Sequence, residues 1–174
     1  MKFTKIRKLC SILFAACSFV GVAHAATESS ATLTINVTFV APTCTIDVPS
    51  TYNLGGLQLN QTKEHAPLMV KWSCEGADPV KTALTASVVT GTLDSTQDKV
   101  KMLGEDGREN GTTLSLKEKS SGQKIKLTGS DTDVFCSGNA VGDRSCELIP
   151  ITETHIGDAP GQINSTLRFA VVYQ

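Results

Sequence analysis

The chain is poor in the residues that do chemistry, and each shortage excludes a class of function. Beyond residue 25 only two histidines remain, His65 and His155, in different regions. No Cys-x-x-Cys pair occurs, so the ligand spacing of a zinc site is missing and no metal is expected. There is no Gly-x-Ser-x-Gly, His-Glu-x-x-His or phosphate-binding loop. Glu105, Asp106 and Glu109 fall in a glycine-rich polar stretch, the composition of a solvated loop. Asp131, Asp133 and Asp143 do not follow the calcium-loop pattern. No catalytic residue, cofactor or enzyme activity is expected. Aromatics beyond residue 25 are limited to Phe39, Tyr52, Trp72, Phe135, Phe169 and Tyr173. Several sit on apolar strand faces, which leaves little for a sugar-stacking platform. A helical period over ten or more residues is absent from residue 26 onward, as is any internal repeat.

The one long apolar run, residues 9–22, follows Lys2, Lys5, Arg7 and Lys8 and precedes Ala23-His24-Ala25. That is the layout of a secretory signal peptide over residues 1–25, with cleavage expected after Ala25. The run is too short for a membrane anchor and leads into a Thr/Ser-rich stretch. Lipoprotein processing at Cys17 is disfavoured by the bulky Phe14. Removing 25 of 174 residues leaves 149, enough to bury a single core. It takes away four basic residues and no acidic one, leaving 12 basic against 17 acidic and a net charge of −5. No basic stripe remains, so nucleic acid and anionic membranes are poor partners. Cys44, Cys74, Cys136 and Cys146 remain, an even number in an exported chain, which reads as two disulfides. Four cysteines allow three connectivities, and sequence nearness favours Cys136–Cys146. Closing so short a loop contributes roughly 3 kcal/mol.

What is present is β pattern. Leu68, Val70, Trp72 and Cys74 alternate along one face, with the single tryptophan expected in the core beside a disulfide. Residues 82–90 are rich in Ala, Val and Thr. Residues 91–111 form a surface loop or a hairpin of weak strands. Residues 113–117 and 123–127 flank Ser120-Ser121-Gly122, a hairpin signal. Residues 130–144 read as a loop, and Asp158-Ala159-Pro160-Gly161 as a turn. Two stretches alternate most clearly. Near the start, Leu33, Ile35, Val37 and Phe39 alternate with Thr32, Thr34, Asn36 and Thr38, up to Ala41-Pro42 and Cys44. At the end, Gly161 opens a strand in which Ile163, Ser165, Leu167, Phe169, Val171 and Tyr173 share one face. Many short strands with turn punctuation mean an all-β sandwich or barrel.

Those two stretches carry a resemblance. Gly161 stands fourteenth from the end, Tyr173 is penultimate, and apolar residues alternate between them. This resembles the C-terminal signature of the chaperone–usher pilins, the subunits of type 1 and P pili. The alternating arm upstream of Cys44 is similar to the family's donor strand, and Tyr52-Asn53-Leu54-Gly55-Gly56-Leu57 to the segment that begins a new edge. The resemblance implies an all-β, incomplete immunoglobulin-like (pilin) β-sandwich completed by a donated strand. Residues 26–43 would be the donor-strand arm and 44–174 the pilin body, with Cys44 bonded to Cys74 between the first two strands. Leu33, Ile35, Val37 and Phe39 would enter a neighbour's groove. Gly161, Ile163, Leu167, Phe169, Val171 and Tyr173 would form the acceptor groove and chaperone-binding strand. The implied partners are a periplasmic pilus chaperone, an outer-membrane usher and neighbouring pilin subunits in a head-to-tail polymer. The implied route leads through the periplasm to a fimbrium on the bacterial surface. The family's arms usually carry a glycine where Val37 stands, and this chain has none between Ala26 and Cys44. The alternative is a complete secreted β-sandwich that uses residues 31–40 as its own strand and binds a ligand or host surface as a monomer.

Overall fold

A computed structural model describes residues 33–37, 43–76 and 78–174. The expected signal peptide, Phe39 and most of the expected arm lie outside the described residues. The chain divides between Phe39 and Val40. On the first side, residues 33–37 belong to no strand, and Leu33, Ile35 and Val37 are 81%, 75% and 83% exposed.

The second side is built of strands, with no helix among the described residues. In chain order they are β1 (Cys44–Asp47), β2 (Thr62–Glu64), β3 (Leu68–Cys74), β4 (Val80–Thr90), β5 (Thr92–Leu93) and β6 (Lys99–Gly104). Then come β7 (Glu109–Glu118), β8 (Phe135–Ala140), β9 (Gly142–Glu153), β10 (Ile163–Asn164) and β11 (Thr166–Tyr173). They form two antiparallel sheets. The larger runs β1-β3-β9-β7-β6-β10, with β2 also on β9 and β5 on β6; the smaller runs β11-β4-β8. Their inner faces meet in one core. Val70 and Trp72 of β3, Val100 and Met102 of β6, Leu114 and Leu116 of β7, and Leu148 of β9 face Leu84 and Ala86 of β4 and Phe135 of β8. The period of two does this directly: in β3 Val70 and Trp72 are buried, while Met69 and Lys71, which alternate with them, are exposed.

Several stretches differ from the sequence reading. Of the two readings of residues 91–111 the hairpin is the one found and the loop is not: β6 pairs with β7 and buries Val100 and Met102. The turn between β6 and β7 closes with Gly104 N donating to Arg108 O at 2.8 Å. The hairpin after β7 has a turn at Gly122 but one short second arm: a single bridge joins Lys117 and Lys124. The chain then buries Ile125 and Leu127 and crosses to β4, where Gly129 N donates to Ala86 O. Residues 130–144 contain all of β8 and the start of β9. Residues 52–57 lie in no strand, so the expected new edge does not form there. The terminal strand is two strands, since Ile163 and Asn164 pair with β6 in the larger sheet before the chain passes to the smaller one.

Both disulfides tie elements together. Cys44 bonds Cys74, its register partner across β1 and β3. Cys136 bonds Cys146 and so joins β8 to β9, one strand from each sheet. A bulge makes the second bond possible. Leu84 faces Phe135 and Thr82 faces Gly138, so two residues of β8 stand opposite Ala83 alone. Cys136 takes a left-handed backbone there, with φ +48°, as an extra residue in a bulge does. Arg144 of β9 is a further tie. Its guanidinium stacks 4.5 Å from the centre of the Trp72 ring. It donates across the sandwich to the carbonyls of Thr82, Gly138 and Cys136 at 3.0–3.1 Å. A side chain at Gly138 would strike this guanidinium, since an added Cβ lies 2.5 Å from Nη2.

Candidate strand-acceptor groove

β11 is the edge of its sheet. It pairs antiparallel with β4 from Thr166 to Tyr173 and with no other strand among the described residues. The local sequence explains its course. Asp158 is nearly buried and accepts hydrogen bonds from Thr112 Oγ1 (3.1 Å) and the backbone N–H of His155 (2.8 Å). It sits on Gly111, whose φ of +105° and lack of a Cβ make room for the carboxylate. This pins residues 155–159 to β7 and fixes where the last strands begin. Gly161 then turns at φ +138°. At Ser165 the chain changes sheets, and the serine hydroxyl is buried there with no hydrogen-bond partner among the described residues. At the far end the Tyr173 hydroxyl donates to Cys44 Sγ at 3.0 Å, which brings the end of β11 beside β1. Gln174 is held by its N–H to Lys81 O and by Ser137 Oγ.

The burial along this strand is incomplete. Ile163, Ser165, Leu167, Phe169 and Val171 alternate with exposed residues, as expected for an inward row. None of the five is fully buried, whereas Leu84 and Ala86, the β4 residues opposite Val171 and Phe169, are at 0–1% exposure. Phe169 meets Phe135 edge to face, with ring centroids 6.5 Å apart. Phe169 is thus packed on one neighbour and only half-buried as a whole. Two residues of residues 48–60, Val48 and Leu54, are also half-buried against the core, in a stretch that forms no strand. A half-buried apolar row on a strand edge has the chemistry to accept an extended segment, with backbone groups for the ladder and alternating side chains to cover the row.

No protein-family model matches the chain, and a comparison with curated proteins gives no match either. Solved structures do match. A chain from a chaperone–usher pilus, determined to explain rod uncoiling, superposes with a TM-score of 0.57 at 15% identity, covering 84% of this chain and 97% of that one. The P pilus rod subunit PapA gives 0.57 and 15%, covering 75% of this chain and 99% of PapA. The fold is pilin-like. At this identity the likeness is one of architecture, and the site has to be read from its own residues.

In this pilin-like body the structure gathers Leu167, Phe169, Val171 and Tyr173 on one edge strand beside Cys44, and puts Ile163 at its entry on β10. Gly161 precedes the entry and is exposed. Leu33, Ile35 and Val37 are in no strand, and Phe39 lies outside the described residues. Sequence reasoning passed over Val48, Arg144 and Asp158. Val48 lies in a short segment before Pro49-Ser50 with no further alternation to mark it. Arg144 and Asp158 sit in polar stretches, and only the fold shows what their charges hold. No group of three or more metal-ligating side chains occurs among the described residues.

Proposed function

We propose that the protein is a structural pilus subunit that polymerises by strand exchange. Residues 1–25 direct export and are removed, residues 26–43 are the donor arm, and residues 44–174 are the body that accepts a strand. The observation that carries this reading is the open edge of β11 with its half-buried inward row. A donated strand would complete the smaller sheet and cover Leu167, Phe169 and Val171. Residues 33–37 belong to no strand, and the alternation of Leu33, Ile35 and Val37 suits a donor. Four apolar side chains at roughly 1.5–3 kcal/mol each give an upper estimate of about 6–12 kcal/mol per joint. Each net backbone hydrogen bond contributes roughly 0.5–1.5 kcal/mol more. Val37, bulkier than the glycine usual in such arms, calls for a wide pocket in the groove that receives it.

An open apolar trough is an aggregation hazard. A periplasmic chaperone would occupy it until an outer-membrane usher exchanges the chaperone for the arm of the next subunit. The polymer would stand on the bacterial surface as a fimbrium and contribute to adhesion. The test replaces Ile35 and Phe39 by Asp and separately titrates the wild-type body with a synthetic peptide of residues 30–41. The substituted arm should leave export and folding of the body intact and abolish docking onto the subunit ahead, while the wild-type peptide binds the body. A double mutant that fails to fold would make the arm an internal strand and leave the complete secreted sandwich as the better reading.

A further inference from the structure

The reach of the arm fixes more than the groove it enters. The arm joins the body at Thr43, whose carbonyl accepts a hydrogen bond from Glu75 N, next to the Cys44–Cys74 bridge and the Tyr173 hydroxyl. That end of the sandwich also carries Val141, exposed at the crossing from β8 to β9, where Ala140 pairs with Val80 and Gly142 with Cys74. The opposite end carries the start of β10 and the 155–161 segment. Ile156 is 77% exposed there. Leu59 is exposed in a loop held to the same end, through Thr154 Oγ1 donating to Gln58 O at 2.6 Å. Single exposed apolar side chains are ordinary on a protein surface, so what matters is that these two lie at the same end of the sandwich.

Every pairing in the smaller sheet is antiparallel, and an added strand gains slightly more by continuing that pattern. An arm antiparallel to β11 enters with Leu33 near the Tyr173 end and Phe39 near Thr166. From Phe39 to Cys44 the chain has only five Cα steps, a span of at most about 18 Å. The donor's Cys44 end is thereby drawn against the acceptor's Ile156 end. We propose that the tip bearing Leu59 and Ile156 is a docking surface for the Val141 end of the next copy of this chain, a second contact at each joint beside the donated strand. This rests on the strand-exchange reading. A parallel arm would instead bring two Cys44 ends together, where the acceptor's own arm leaves.

The experiment places a photo-crosslinking amino acid at position 156, and at Ser121 on the turn after β7 as a control, in subunits assembled into polymer. Position 156 should cross-link to Thr43, Glu75, Asp78 or Val141 of the adjoining copy in polymer and lose that product in monomer, and position 121 should give none of it. Substituting Ile156→Asp with Leu59→Asp should make the joint dissociate about tenfold faster, an effect on off-rate typical of lost interface contacts. The same variant should bind the 30–41 peptide like the wild type. Polymer that forms with no cross-link from position 156 to that end, or joints as long-lived in the double variant, would overturn the end contact. Failure of the peptide to bind the wild-type body would overturn the strand-exchange reading itself.

Discussion

Arg144 shows how single residues hold this sandwich together. It comes from the larger sheet, lies under Trp72, and donates hydrogen bonds to three carbonyls of the smaller sheet. Burial pushes its pKa below the usual arginine range. Replacing it with Ala removes a donor from three carbonyls, one of them on the buried Thr82 and two on the half-buried Cys136 and Gly138, and empties the space beneath the indole. Arg144→Ala should destabilise the body by about 3 kcal/mol, read by urea denaturation with the groove saturated by the 30–41 peptide. Arg144→Lys should recover little of this, since one ammonium lacks the planar fork that reaches several carbonyls. A loss under ~1 kcal/mol for Ala would mean that water takes over these acceptors. None of this was legible in the sequence, where Gly142-Asp143-Arg144-Ser145 reads as solvated loop. By contrast the burial of Trp72 was, because Leu68, Val70 and Cys74 set its face.

Among elements, the long alternating segments were readable and the short polar ones were not. β3 and β11 announce themselves because one face is apolar throughout. β8, with Phe-Cys-Ser-Gly-Asn-Ala, has a single large apolar residue and a bulge that breaks its period. It is a strand because β4 offers it a ladder, a tertiary cause invisible locally. The change of sheet at Ser165 was hidden for the opposite reason, since the alternation continues unbroken through it. Among the described strands β11 forms its ladder with β4 alone, and its last four residues lie beside Ala83 and Leu84, both fully buried. Deleting residues 171–174 also removes the Tyr173–Cys44 contact and the hold on Lys81 O. On the proposed route, the truncated protein should not accumulate in the periplasm even with a pilus chaperone co-expressed, measured as soluble yield against the full chain. Normal yield would mean that the end of β11 is dispensable to the fold.

At the scale of the whole molecule, the account's central claim is that one strand is absent from the smaller sheet and must come from another chain. The smaller sheet has two edges, β11 and β8, and the vacancy is proposed beside β11, where the inward row is only half-buried. The N-terminal arm has the pattern to fill it but is joined at the wrong end to run antiparallel there. The direct measurement moves the arm. Residues 26–41 are deleted and residues 32–40 appended after Gln174 through a short flexible linker, which gives the strand a local concentration in the millimolar range or above. From the Tyr173 end the appended strand turns back antiparallel to β11. A second version carries Val37→Gly. Size and melting temperature are compared with those of the same body lacking the added strand. The account predicts a soluble monomer that melts well above the truncated body, in at least one version. A truncated body that is already a well-folded monomer, and gains nothing from either appended strand, would contradict it.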